Sequence, residues 1–297
     1  MKKFVARLAL LAVIMLLVIC LMHVAAIWML QDELKSAYTV DPSTEVLFLG
    51  SSQVGCSIFE DTRYHLKKLW VSDTITPSCL MRLRELELRG QLSHLKVVVV
   101  PFNIHSITAL SERGYLWGWY QELPISWRYM DILPYSKARF AWYILCNLRF
   151  PFLMHLSDKP PERDGLASST ETYRKKVLVQ YQGAAQKVQA QGSSPDWERC
   201  LFDAYREMSE ICKRHGICFI VYKAPLLPDY ERNLSTETQH QIAVYEKRLS
   251  DIGLMYIKPQ IELDDKYFFD NVHLIKSGAD IFTAELFRLM GLVVPRH

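Results

Sequence analysis

Five short apolar runs, rich in β-branched and aromatic residues, recur along the chain at 46–50, 69–72, 96–103, 218–222 and 254–258. None shows the alternation of apolar and polar residues that marks a strand with one wet face, so each reads as a strand covered on both sides. Between them lie segments of helical spacing. Residues 78–89 carry Leu80, Leu83, Leu86 and Leu88, and residues 197–215 carry Leu201, Ala204, Met208 and Ile211 ahead of Gly216. Near Ser235, Thr236 and Gln239 have the spacing of a capping box before Ile242, Tyr245 and Leu249, and a last helix is expected at about 276–290. Strands alternating with helices predict an α/β fold, a mostly parallel sheet of about five strands between helical layers. Half of the 297 residues are apolar, enough for one large core.

Two regions fall outside that pattern. At the N-terminus, Lys2, Lys3 and Arg7 precede a nearly uncharged run at 8–30, which ends before Asp32 and Glu33. A bilayer-spanning helix needs about 20 apolar residues. The leading cations place the N-terminus in the cytoplasm and the rest outside. The competing reading is a cleaved signal peptide with Val24-Ala25-Ala26 before the cut, but such apolar regions run only about 7–15 residues. Residues 1–30 are therefore expected to be a cytoplasmic tip and transmembrane signal anchor, and 31–297 a periplasmic or extracellular domain. The second region, 107–195, is too long for an ordinary connection and reads as an insertion or lid. Its first half carries Tyr115, Trp117, Trp119, Tyr120, Trp127, Tyr129, Tyr135, Trp142 and Tyr143, suited either to stacking on sugar rings or to packing the insertion's own core.

Composition narrows the partners. With 35 basic and 32 acidic residues in mixed order there is no basic stripe, so nucleic acid is not expected. No cofactor is expected either, because no glycine-rich dinucleotide or phosphate loop follows a strand and no metal-ligand cluster is evident. Of seven cysteines, Cys20 lies in the expected span and the other six specify no particular pairing. Cys212 and Cys218, flanking His215, read as packing residues at a helix-to-strand junction.

Three clusters carry chemistry. Gly50-Ser51-Ser52-Gln53 closes the first strand, where an open α/β sheet presents side chains to ligands; the plainer reading is a capped turn. Asp270 and His273, in Phe269-Asp270-Asn271-Val272-His273-Leu274, follow the fifth strand and so fall on the same edge. There the aspartate would orient the imidazole and the imidazole would face a nucleophile. Pro101-Phe102-Asn103-Ile104-His105 closes the third strand; Asn103 is a candidate oxyanion donor or a turn residue, and His105 lines the pocket or sits on the surface.

Together these clusters resemble the SGNH, or GDSL-like, hydrolase superfamily over about 46–289, the insertion excluded. The resemblance implies a flavodoxin-like three-layer α/β/α sandwich and a triad of Ser52, Asp270 and His273. It further implies oxyanion or substrate contacts from the Ser52 amide, Asn103, Gly50, Gln53 and His105. Within the superfamily, the anchor and the late Phe-Phe-Asp-x-x-His-Leu are similar to the membrane-tethered alginate O-acetylation and D-alanyl-lipoteichoic acid biosynthesis proteins. That implies a serine esterase or acyltransferase acting on acyl, expected to be O-acetyl, esters of an envelope polysaccharide, with a membrane-bound acyl donor as partner. The chain departs from the pattern where Ser51 replaces an aspartate, Gln53 a histidine, and residues 74–78 a second glycine. The rival reading keeps the sandwich as a noncatalytic carbohydrate-binding or scaffold component of an envelope assembly complex.

Overall fold

The computed structural model describes residues 38–60, 62–70, 76–102, 127–133 and 194–291, with residue 138 and scattered positions between 3 and 25. Strands β1 (Val46–Gly50), β2 (Leu66–Trp70), β3 (Val97–Phe102), β4 (Cys218–Lys223) and β5 (Met255–Ile257) form one sheet. The order is β2-β1-β3-β4-β5 and every pairing is parallel. This is the doubly wound, flavodoxin-like order, whose direction reverses between β1 and β3.

Successive strand residues point to opposite faces, and here both faces are dry. Leu47, Leu49, Val98, Val100, Phe219 and Val221 pack in one core with α2 (Thr76–Leu88), α3 (Pro195–Arg214) and part of α5 (Thr236–Asp251). Val46, Phe48, Val97, Val99, Ile220 and Tyr222 pack in a second core with Val54 of α1 (Ser52–Ser57) and Phe282, Leu286 and Phe287 of α6 (Lys276–Leu289). The three layers follow directly from that division. A further short helix, α4 (Pro228–Arg232), follows β4 and was not anticipated.

Several boundaries shift by one to three residues, and two of the shifts have a clear physical reason. β2 begins at Leu66, three residues before the expected start at 69, with Leu66 opposite Val46. Among the described residues it is an edge strand, so it accommodates Lys67 and Lys68, which an apolar-run criterion rejects and which discourage edge-to-edge pairing. Helix α5 is capped by Ser235, whose Oγ accepts from the Thr238 amide at 3.1 Å, rather than by Thr236. Ser235 is extended while Thr236 is already helical, so the cap falls one residue earlier than the Thr236/Gln239 spacing suggested.

Of the expected insertion, 127–133, 138 and 194–195 are described, and 127–133 docks on α2. Tyr129 donates to Glu85 Oε2 at 2.9 Å and Arg128 Nη1 reaches the same oxygen at 2.7 Å, while Glu85 is 2% exposed. Burial, then the contact with Glu85, raises the Tyr129 hydroxyl above its ordinary pKa, so it remains a donor. Arg84 forks onto Glu207 at 2.6 and 2.8 Å and holds Asp131 at 2.7 Å, bracing α2, α3 and this turn together. Of the expected aromatics, Tyr129 packs in the core, whereas Tyr115, Trp117, Trp119, Tyr120, Tyr135, Trp142 and Tyr143 lie outside the described residues. The described positions between 3 and 25 are helical and exposed. The expected span includes positions outside that set, and among the described residues no helix is long and apolar enough to cross a membrane.

Candidate active site

The nucleophile turn begins with a steric constraint. A Cβ on Gly50 would lie 2.3 Å from Val54 Cγ2 and 3.2 Å from Pro101 Cγ, so only glycine lets the chain fold back over the end of β1. Ser51 then caps α1, its Oγ accepting from the Gln53 amide at 3.3 Å, and Ser52 is the first residue of that helix. Ser51 is thus the cap of the turn, and Ser52 follows it into the helix. The ladder between β1 and β3 stops at Phe48 opposite Val99, two residues short of Gly50. Ser52 therefore stands beyond the carboxyl ends of the strands beside the switch point, where open α/β sheets take their ligands.

The second half of the site is a closed loop after β5. Phe268 pairs with Leu274, the Phe269 amide donates to the His273 carbonyl at 2.8 Å, and the Ile275 amide donates to the Tyr267 carbonyl at 3.0 Å. A Cβ on Gly278 would lie 2.6 Å from the Tyr267 carbonyl oxygen, so this glycine lets the first turn of α6 sit against the base of the loop. The Leu227 amide donates to the Asn271 carbonyl at 2.9 Å, tying the loop to the segment after β4. Within the loop, Asp270 Oδ1 accepts the backbone amides of Val272 at 2.9 Å and His273 at 2.8 Å.

These halves meet. His273 Nδ1 lies 2.7 Å from Asp270 Oδ2, and His273 Nε2 lies 2.8 Å from Ser52 Oγ, a contact spanning 221 residues of sequence. Burial pushes the Asp270 carboxyl up, but the hydrogen bond and charge of His273 and the Val272 and His273 amides outweigh it and hold the group below its ordinary value. An ionised carboxylate only accepts, so Nδ1 carries the proton and a neutral His273 offers Nε2 as the acceptor for the Ser52 hydroxyl. Asp270 is 9% exposed and the His273 side chain 24% exposed, so the relay is shielded yet reachable. Chemically this is a serine whose proton has a positioned base, and a base whose tautomer is set by a buried acid.

The other expected site residues fare differently. Asn103 and His105 lie outside the described residues. Gly50 acts through its lack of a side chain. Gln53 is 3% exposed, and neither of its amide atoms has a hydrogen-bond partner among the described residues. Asn271, beside Asp270, likewise leaves Oδ1 unpaired among them at 4% exposure. Residues 76–78, within the stretch 74–78 where the resemblance implies a second glycine, begin α2. A cavity of about 520 Å³ lined by Lys223, Glu231, Glu246, Lys258 and Phe268 lies past β4 and β5; Ser52, Asp270 and His273 are not among its lining residues.

One residue at the site was missed. Arg82 is 1% exposed, and its Nη1 donates to the Gly50 carbonyl at 2.9 Å. The available signal was a charge inside the run Leu80-Met81-Arg82-Leu83, all of which is buried. Cys212, like Cys200, is a packing residue, both thiols pushed up to about 12 by burial above all, whereas Cys218, at the exposed start of β4, is not. Among the described residues no group of three His, Cys, Asp or Glu side chains is placed to share a metal ion.

No family model matches the chain, and no curated protein does. Among solved structures it is similar to a GDSL-like lipase from Bacteroides thetaiotaomicron, at 13% identity and a TM-score of 0.39, over 84% of this chain and 88% of that one.

Proposed function

We propose that the chain is a membrane-anchored, extracytoplasmic serine esterase or acyltransferase of SGNH type. Its substrates are acyl esters, O-acetyl above all, of a cell-envelope or exported polysaccharide. The observation that carries the reading is the continuous relay Ser52–His273–Asp270, drawn from opposite ends of the sequence and held at 2.8 and 2.7 Å.

In the proposed reaction Ser52 Oγ attacks the ester carbonyl while its proton passes to His273 Nε2. The imidazolium formed is held through Nδ1–H by Asp270 and returns its proton to the departing alkoxide, releasing an alcohol and leaving an acyl group on Ser52. Water or a sugar hydroxyl, deprotonated by the same nitrogen, then attacks the acyl-serine and frees the enzyme. The Ser52 amide, in the first turn of α1 where amides lack intrahelical acceptors, is the proposed first donor to the oxyanion. Asn103 is proposed as the second, and Gln53 and His105 as substrate contacts. The apolar run at 8–30 supports the anchor, and an anchor suits a membrane-bound acyl donor.

Gln53 in place of the family's histidine and the missing second glycine favour a second reading, a noncatalytic carbohydrate-binding scaffold. A serine-reactive fluorophosphonate separates the two. Labelling of the full chain that maps to Ser52 and is lost in His273→Ala supports the enzyme, since an uncoupled hydroxyl is inert; no labelling of the folded wild type removes it.

A further inference from the structure

We infer that Arg82 is a positioning residue for the nucleophile turn, an inference that rests on the serine reading proposed above. Full burial of an arginine is rare, because the guanidinium gives up its hydration and keeps only the partners the interior supplies. A leucine here would fill the layer between sheet and α2 without that cost. What arginine adds is a rigid fork of donors at one place. Its Nη1 donates to the Gly50 carbonyl at 2.9 Å and lies 3.4 Å from the Leu69 carbonyl, joining the carboxyl ends of β1 and β2.

The place matters because Gly50, still opposite Trp70 of β2, is held by β3 no longer. The β1–β3 ladder ends at Phe48, so Gly50 lies past its last pairing with β3. The Gly50 carbonyl belongs to the same peptide plane as the Ser51 amide, so the guanidinium fixes the plane from which the turn springs. Downstream of that plane, Ser51 caps α1 and Ser52 meets His273 at 2.8 Å. At the other end of α1, Lys68 Nζ donates to the carbonyls of Gly55 at 3.2 Å and Ile58 at 2.9 Å, so cations hold the peptide that leads into the short helix and the carbonyls that close it. A buried positive charge beneath the turn also favours the negative charge that develops as Ser52 attacks.

The test uses the full chain in detergent, an aryl acetate substrate, and the variants Arg82→Met, Arg82→Lys and Arg84→Met. The expected result is that Arg82→Met lowers kcat by about 10- to 100-fold with KM little changed, as a small misplacement of a reacting group does. The rate of Ser52 phosphonylation falls in parallel, and added guanidinium ion restores part of both. Arg84→Met, which breaks the pairing to Glu207 and Asp131 on the far side of α2, lowers the melting temperature and leaves kcat alone. A folded Arg82→Met with wild-type kcat, or with a loss confined to KM, overturns the inference. Should Arg82→Met not fold, Arg82→Lys, which keeps the charge without the fork, is read by the same criterion. A wild type inert to both ester and phosphonate removes the serine reading and this inference with it; an active wild type with indifferent Arg82 variants removes only this inference.

Discussion

Asp270 holds His273 twice: Oδ2 takes the ring Nδ1–H at 2.7 Å, and Oδ1 takes the backbone amide of the same residue at 2.8 Å. One carboxylate therefore sets both the fold of the loop and the tautomer of the imidazole within it. Removing its charge should cost catalysis far more than it costs structure.

Asp270→Asn tests that division. The amide oxygen can still accept the Val272 and His273 amides, but an amide NH2 opposite Nδ1 favours the wrong tautomer. We expect kcat to fall by about 10⁴-fold at neutral pH with the far-UV circular dichroism unchanged. A loss of activity that tracks unfolding would show that the charge matters only to the loop.

The same group sets a pH dependence of stability. Its folded pKa lies below the ordinary value of 3.8, because the His273 and backbone contacts outweigh burial. The unfolded chain then binds more protons between the two values, so stability rises with pH across that window. The contribution is fully present above about pH 4 and disappears as pH falls through the lower, folded value. Urea midpoints measured from about pH 2 to 6 should show a drop in wild type that is shallower in Asp270→Asn.

At Gly50 the prediction is steric. Gly50→Ala places a methyl 2.3 Å from Val54 Cγ2, which should destabilise the domain by about 1–3 kcal/mol and displace Ser52. Val54→Ala in the same chain removes the closest contact and should recover part of both losses, read as a positive coupling in a double-mutant cycle. Additive losses would mean that the turn is not limited by this contact.

Gln53 offers a contrast between stability and binding. A buried amide with neither atom paired costs about 1–3 kcal/mol, and Gln53 is such a group among the described residues at 3% exposure. Gln53→Met should leave thermal stability equal or higher and, if the amide contacts substrate, raise KM severalfold. A clear fall in melting temperature would place its partner in the protein instead.

What the sequence made legible was whatever is local. The central strands β1, β3 and β4 are buried apolar runs, and the interval of Asp270 and His273 on one loop fits a shared hydrogen bond. Less legible were features set through space. The start of β2 depends on which edge is wet, which its own residues do not state. The cap of α5 was decided between adjacent Ser235 and Thr236 by backbone geometry. Arg82 shows in sequence only as a charge inside an apolar run, because the Gly50 and Leu69 carbonyls it meets are 32 and 13 residues away and carbonyls have no residue signature.

The most direct measurement is the hydrolysis of a chromogenic aryl acetate by the full chain beside Ser52→Ala and His273→Ala. A working triad requires a measurable wild-type rate and a loss of about three orders of magnitude or more in each folded variant, the two losses being similar because the residues act as a unit. A wild-type rate that survives either substitution, or a folded wild type with no rate at all, would contradict it.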